Sequence, residues 1–186
     1  MFVHKITEEL SLKLVDLHNA NELFELTDAN RDHLKKWLPW LDGTTSVEDT
    51  RAFIQQNKEG YAANRSLTTV ILYNGKIVGT AGFNTINWFS KYVTIGYWLA
   101  DTYQGKGIMT KTVEALITYA FDELKLNRVE ICAAVENTKS RAIPERLGFK
   151  LEGVRRSAEW LYDHYVDHAI YGILANEWKT DTKATR

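Results

Sequence analysis

The sequence predicts an α/β protein with a mixed, mostly antiparallel sheet, and three observations carry that prediction. Short β-branched, apolar runs alternate with longer segments whose apolar residues recur every three to four positions. Asn74-Gly75, set between two such runs, is the strongest hairpin signal in the chain and makes its neighbours antiparallel. Asp101 to Thr110 holds glycines between a strand-like run, Val93 to Leu99, and a helix-like run, Met109 to Leu124, so a helical crossover follows that turn.

Each element has its own signal. Leu10, Leu12 and Leu14 alternate with Ser11 and Lys13, a first strand. Asn19 with Glu22 reads as a capping box opening a helix to about Asp28, with Leu23, Phe24 and Leu26 buried. Asn30 to Lys36 is a second helical piece, and Pro39, within Trp37-Leu38-Pro39-Trp40-Leu41, stops helical structure. Ser46 with Asp49 caps a third helix, whose stripe is Val47, Thr50, Phe53, Ile54, Asn57 and Tyr61. Leu67 to Tyr73 and Lys76 to Asn84 flank the hairpin turn, and Tyr92 to Leu99 follows the loop Asn87 to Lys91. Beyond the glycines, Val113, Leu116, Ile117, Ala120, Phe121 and Leu124 share a helix face. Arg128 to Val135 reads as a buried strand, and Ser140 to Leu147 as a short helix closed by Gly148. Phe149 to Ala158 and His164 to Leu174 are two strands joined across Tyr162-Asp163. Residues 1–178 form a single expected domain, and Lys179 to Arg186 a polar tail prone to fraying.

Composition excludes several classes. A formal net charge of −1, with no run of Lys or Arg, argues against nucleic-acid binding through phosphates. No stretch approaches a membrane span, and Met1 to Lys5 carries charge early without an apolar run, so no signal peptide is expected. The lone cysteine, Cys132, rules out an internal disulfide, fits a reducing cytoplasm and reads as core packing in an apolar strand. His164 and His168 share a strand side but lack a third ligand, so no metal site is expected. Six tryptophans leave two readings open, a heavy core or an aromatic-lined groove.

The turn is the chemical centre. Gly105 and Gly107 allow a tight bend and a close ligand approach, and the following helix presents unpaired N–H groups and a positive dipole end there. Together they make a phosphate pocket. Neither familiar glycine loop matches. The nucleotide P-loop spacing fails across Gly105 to Thr110, and the third glycine of the dinucleotide fingerprint is replaced by Thr110.

A third pattern fits. Gln104, Gly107 and Met109 resemble the signature of the GNAT superfamily of N-acetyltransferases: Gln or Arg, two residues, Gly, one residue, then Gly or Ala. Met109 departs at the last position, as in the Rim-type branch that acetylates ribosomal-protein N-termini. Ile95 to Leu99 and Tyr103 to Thr110 look like that branch. Asn137-Thr138-Lys139-Ser140, then Gly148-Phe149, resembles the family's second block. Leu151-Glu152-Gly153 and Ala158-Glu159-Trp160-Leu161 resemble the branch's late hairpin. The resemblance runs from Leu10 to Trp178 and implies the GNAT fold: a seven-stranded mixed sheet, about four helices, and a splay at the strand pair that holds the cofactor.

It also implies acetyl-coenzyme A as co-substrate, with Trp98, Leu99, Gln104, Gly105, Lys106, Gly107, Ile108, Met109, Thr110 and Asn137 around it. Many relatives place a tyrosine acid where this chain has Pro144, so the branch's serine, here Ser140, inherits the leaving thiolate, and Glu159 the role of base. Trp37, Trp40, Tyr97 and Trp160 would border the acceptor. Plainer readings stand beside these. Lys106 is also a solvated lysine, Ser140 a helix cap, Asn137 a turn residue, Glu159 an exposed strand charge, and Trp37 or Trp40 a core or homodimer contact. The implied reaction acetylates a protein N-terminus. A small amine (polyamine, antibiotic or amino acid) as acceptor, or a non-catalytic coenzyme A-binding module, are the rivals.

Overall fold

A computed structural model describes residues 3–181. Its strands are β1 (His4–Lys5), β2 (Leu10–Leu14), β3 (Leu67–Tyr73), β4 (Lys76–Asn87), β5 (Tyr92–Leu99), β6 (Arg128–Ala134), β7 (Lys150–Leu161) and β8 (His164–Leu174). They form one sheet in the order β1-β2-β3-β4-β5-β6-β8-β7. Every pairing is antiparallel except β5 with β6, the pair joined through the helical crossover. The helices are α1 (Ala20–Ala29), α2 (Arg31–Leu34), α3 (Val47–Ala62), α4 (Ile108–Thr118), α5 (Thr138–Arg146) and α6 (Ala175–Asp181).

The expected sheet had seven strands and the observed one has eight. The extra strand, β1, is a two-residue edge pairing His4 with Leu12, too short to leave an alternating pattern. Other boundaries shift for local reasons. The Asn19–Glu22 capping box does not form. Asn19 Oδ1 accepts instead from the Asp16 amide at 3.1 Å, and Glu22 Oε1 from the Ile77 amide of β4 at 2.8 Å. The Ser46–Asp49 box does form, with Ser46 N donating to Asp49 Oδ2 at 2.9 Å and Asp49 N to Ser46 Oγ at 3.3 Å. α5 starts at Thr138 because Asn137 Oδ1 accepts from the Ser140 amide at 3.2 Å; Asn137 is thus the cap and Ser140 lies inside the first turn. β7 runs past Ala158 and carries Glu159 and Trp160 within it. The sheet leaves one face of β6 open, so Cys132 is exposed rather than core. α6 extends through Asp181, which moves the start of the expected tail beyond Lys179; its residues 182–186 lie outside the described residues.

Helices cover the sheet on both faces. One core joins β2, β3, β4, β5, β6 and β8 to α4 through residues such as Phe83, Val93, Val113, Ile117 and Tyr171. The second, on the opposite face, joins Val15, Val70 and Ile77 to Ala20 and Leu23 of α1 and Ile54 of α3. Adjacent residues Ile77 and Val78 belong to different cores, as the two-residue period of a strand demands.

The central parallel pair is short. β5 and β6 are in register from Tyr92 with Arg128 to Ile95 with Ile131, and then the ladder ends. β5 continues beside β4 as far as Leu99, while β6 continues beside β8 to Ala134. The expected splay is therefore a parting of two strands that each keep their outer partner. A bulge on β4 between Phe83 and Thr85 lies opposite the parting, and the Asn84 side chain sits where a Cβ on Gly96 would be, 2.4 Å away.

Backbone contact also fixes β4 against its neighbours. A Cβ on Gly79 would meet the Trp98 carbonyl oxygen at 2.2 Å, and one on Gly82 the Leu67 carbonyl oxygen at 1.9 Å. Gly79→Ala is expected to cost about 1–3 kcal/mol, because the added methyl must push apart two paired strands. Thermal denaturation checks this; an unchanged melting temperature would show that the strands separate freely there.

Candidate active site

The parting of β5 and β6 opens into a cavity of about 1030 Å³. Its floor on the β5 side is Tyr97, Trp98 and Leu99, and the turn with the start of α4 forms a second wall. Gly105 and Gly107 have φ of 74° and 73°, left-handed values natural to glycine. A Cβ built on either meets no atom within 4 Å, so the bend faces open space.

Gly107 is the N-cap of α4, and the first intrahelical bond there runs from the Lys111 amide to the Gly107 carbonyl at 3.1 Å. The amides of Ile108, Met109 and Thr110 precede that bond and have no helical acceptor. Met109, too large for the family pattern, is only 7% exposed and packs into the core with Ile108, leaving its backbone clear. Three cationic side chains line the same cavity: Lys111, Lys139 and Arg146. Arg146 donates to Thr110 Oγ1 at 2.8 Å, which links α5 to the first turn of α4. Lys139 donates to Gln104 Oε1 at 2.8 Å, and the Gln104 amide nitrogen lies 2.8 Å from His33 Nε2. Gln104 thus joins the turn to α2 and α5 rather than standing free. Unpaired amides, a helix dipole and these cations make an anion cradle.

α5 supplies the polar centre. Ser140 and Asn137 line the cavity opposite β5. Tyr97 Oη donates to the Ser140 carbonyl at 3.0 Å and receives Ser140 Oγ at 3.3 Å. Burial pushes the Tyr97 phenol up to about 12, only partly opposed by the Ser140 hydroxyl, so it is neutral at physiological pH.

Of the sixteen residues expected at the site, twelve line this cavity: Trp37, Tyr97, Trp98, Leu99, Gln104, Gly105, Gly107, Ile108, Met109, Thr110, Asn137 and Ser140. Four are placed elsewhere. Lys106 Nζ lies 5.1 Å from the centroid of the Tyr103 ring, held over it as a cation on an aromatic face. Trp40 packs against Trp98, ring centroids 6.5 Å apart. Trp160, half-exposed, makes an edge contact with Tyr165 at 4.9 Å. Glu159 Oε2 stands 3.4 Å from His168 Nε2 across the β7–β8 hairpin. That hairpin is nonetheless tied to the cavity wall. Tyr162 Oη, near its tip, donates to the Leu38 carbonyl at 2.6 Å and accepts from the Leu41 amide at 3.2 Å, and Lys35 covers its ring. Trp37 and Leu38 of the clamped loop line the cavity.

Sequence reasoning missed His33, Lys139 and Arg146. Lys139 lies within the Asn137–Ser140 block and Arg146 between that block and Gly148, but only the packing of α5 on α4 brings both to one cavity. Among the described residues no cluster of His, Cys, Asp or Glu could hold a metal.

Comparison with known proteins gives the context. The family described as acetyltransferase (GNAT) domain matches residues 9–150. YdaF of Bacillus subtilis (strain 168), provisionally named a ribosomal N-acetyltransferase, is 38% identical over 180 residues, spanning 96% of this chain and 98% of its own. The structure of RimL, the ribosomal L7/L12 alpha-N-protein acetyltransferase, in complex with coenzyme A superposes with a TM-score of 0.90 at 30% identity, covering 93% of this chain and 98% of that one. The microcin C7 self-immunity acetyltransferase MccE, in complex with acetyl-CoA and AMP, gives 0.89 at 35% identity over 91% of this chain and 94% of that one.

Gly107→Val is expected to weaken coenzyme A at least about tenfold, since the branched side chain enters the space before the free amides. Arg146→Ala and Lys139→Ala are expected to weaken it less and to flatten its salt dependence. Titration calorimetry on the folded variants measures both; full affinity in Gly107→Val would place the pyrophosphate elsewhere.

Proposed function

The chain belongs to the GNAT acetyltransferase family and is an acetyl-CoA-dependent N-acetyltransferase; from that premise we propose that its acceptor is the N-terminal α-amino group of a ribosomal protein. The observation that carries the transfer itself is the cavity at the strand parting, which sets an anion cradle, an open strand edge and the Ser140 hydroxyl along one path. Relatives named as ribosomal acetyltransferases, one of them an alpha-N-protein acetyltransferase of L7/L12, support the acceptor class.

The parts divide the work. The amides of Ile108 to Thr110, with Lys139 and Arg146, hold the pyrophosphate. The edge of β5 beyond Ile95, without a ladder to β6, pairs with the peptide-like pantetheine arm as an added strand would. A backbone N–H at that edge polarises the thioester carbonyl. The acceptor amine approaches from the side bounded by Trp37, Leu38 and the clamped hairpin. N-terminal amines have a pKa of about 7.7–8.0, so a carboxylate acting through water suffices as base, and Glu159, on the hairpin that Tyr162 clamps to the cavity wall, takes this role. As the tetrahedral adduct collapses, the carbon–sulfur electron pair passes to sulfur. The thiolate, with a conjugate pKa of about 8.5 by analogy with cysteine, leaves with a hydrogen bond from Ser140 Oγ and needs no strong acid.

A second reading has its own support. MccE, similar in fold and sequence, is known in complex with AMP as well as acetyl-CoA, which keeps a small-molecule amine in view as acceptor.

Glu159→Gln is expected to lower kcat at neutral pH about 10²-fold or more while coenzyme A affinity holds, because a base acts on the amine and not on the nucleotide. Thiol release measured with peptides beginning in Ser, Ala or Met, against a panel of small amines, tests the acceptor. Turnover of small amines with none on any peptide would transfer the assignment to the second reading. Unchanged turnover in Glu159→Gln would remove that residue from the mechanism.

A further inference from the structure

Pro144 lies inside α5. It has no N–H to give the Ser140 carbonyl four residues back, the acceptor that a regular helix would satisfy from that position. The Tyr97 hydroxyl of β5 takes that carbonyl at 3.0 Å. The same oxygen receives Ser140 Oγ–H at 3.3 Å, so one phenol grips both the backbone and the side chain of one residue. Both residues line the cavity. A serine side chain otherwise turns among three staggered rotamers.

We propose that Tyr97 is a positioning residue for acetyl transfer: anchored to the carbonyl that Pro144 leaves free, its hydroxyl holds Ser140 Oγ in place for the departing thiolate. The proposal rests on the Ser140 assignment above. Tyr97 gives up no proton. Its single hydrogen stays on the Ser140 carbonyl, and the high pKa that burial gives it keeps it neutral through the neutral range. As the carbon–sulfur bond breaks, the Ser140 O–H turns from Tyr97 Oη to the sulfur, which receives the bond's electron pair. The proton lost by the amine goes to the base.

The test is a cycle of Tyr97→Phe and Ser140→Ala, with acetyl-CoA and the best acceptor from the screen, and with Pro144→Ala alongside. Tyr97→Phe is expected to lower kcat about tenfold with the KM for acetyl-CoA within about twofold, and to change kcat less than about twofold when Ser140 is already alanine. Pro144→Ala keeps the phenol but offers a helical N–H to the same carbonyl. It is expected to lower kcat in the same direction, with no further loss once Tyr97 is phenylalanine. Coenzyme A affinity and melting temperature report whether each variant is folded, and Pro144→Ala carries the test if Tyr97→Phe is not. An equal loss from Tyr97→Phe in both serine and alanine backgrounds, or an effect confined to KM, overturns the proposal. So does a Pro144→Ala enzyme at full rate. Full activity in Ser140→Ala would overturn the Ser140 assignment as well, which separates the failure of that reading from the failure of this one.

Discussion

The structure depends on a parallel pair that is only four residues long. Two parallel strands in a sheet ordinarily continue together because each broken rung exposes backbone donors and acceptors. Here β5 and β6 separate after Ile95 and Ile131, and each remains paired on its outer side. On the β5 side the open rungs border the cavity, at Tyr97, Trp98 and Leu99, rather than the core. Most of the residues assigned to chemistry line that gap, while Glu159 stands on the hairpin beside it. The turn and α4 leave from the end of β5, α5 follows the end of β6, and the two helices meet through Arg146 and Thr110. Closing the gap would satisfy a few hydrogen bonds and abolish the site.

Much of this was legible in the residues, and the unread part has physical causes. The strands are legible where alternation or β-branched runs reach the five residues of β2 or more, and β1 escapes because its two residues carry no period. The glycine turn was legible because φ near +70° at Gly105 and Gly107 requires a special residue, and the sequence advertises it. The capping of α1 escapes the spacing rule because Asn19 is taken by a local partner, the Asp16 amide three residues back, and Glu22 by a distant one, the Ile77 amide of β4. Asn137 and Ser140 were read as a pair of candidate site residues, yet which one caps α5 depended on a single hydrogen bond. Cys132 looked buried because its neighbours are apolar, while the sheet covers β6 on one face more fully than on the other. Lys139 and Arg146 could not be singled out from other surface cations by spacing, since their common target exists only once α5 has packed.

The hairpin shows the same limit from another side. Glu159 could be named from its words alone, but its surroundings are set by contacts distant in sequence. His168 faces it across the hairpin, and Tyr162, three residues on, fastens the strand pair to Leu41 and Leu38, 121 and 124 residues earlier in the chain. A single phenol with a donor and an acceptor function thereby couples the segment carrying Glu159 to the segment carrying Trp37. Similar use of one tyrosine to bind two groups recurs at Tyr171, whose hydroxyl donates to Glu145 and accepts from Arg141. Polar tethers of this kind leave the apolar packing of α4 and the sheet to supply stability while they fix relative positions.

The glycines of β4 bear on how the enzyme could be altered. Gly79 and Gly82 bring the strand so near its neighbours that their side-chain positions are filled by main-chain oxygen. Repurposing this catalyst for a new amine is therefore a problem of unequal tolerance. Diversity introduced along the half-exposed face of the late hairpin and around Trp37 meets solvent or movable side chains, whereas diversity in the fourth strand meets rigid amide groups. A combinatorial library concentrated on the former would retain most of its folded members, and the inherited strand spacing would carry the β5 wall of the cavity through unchanged.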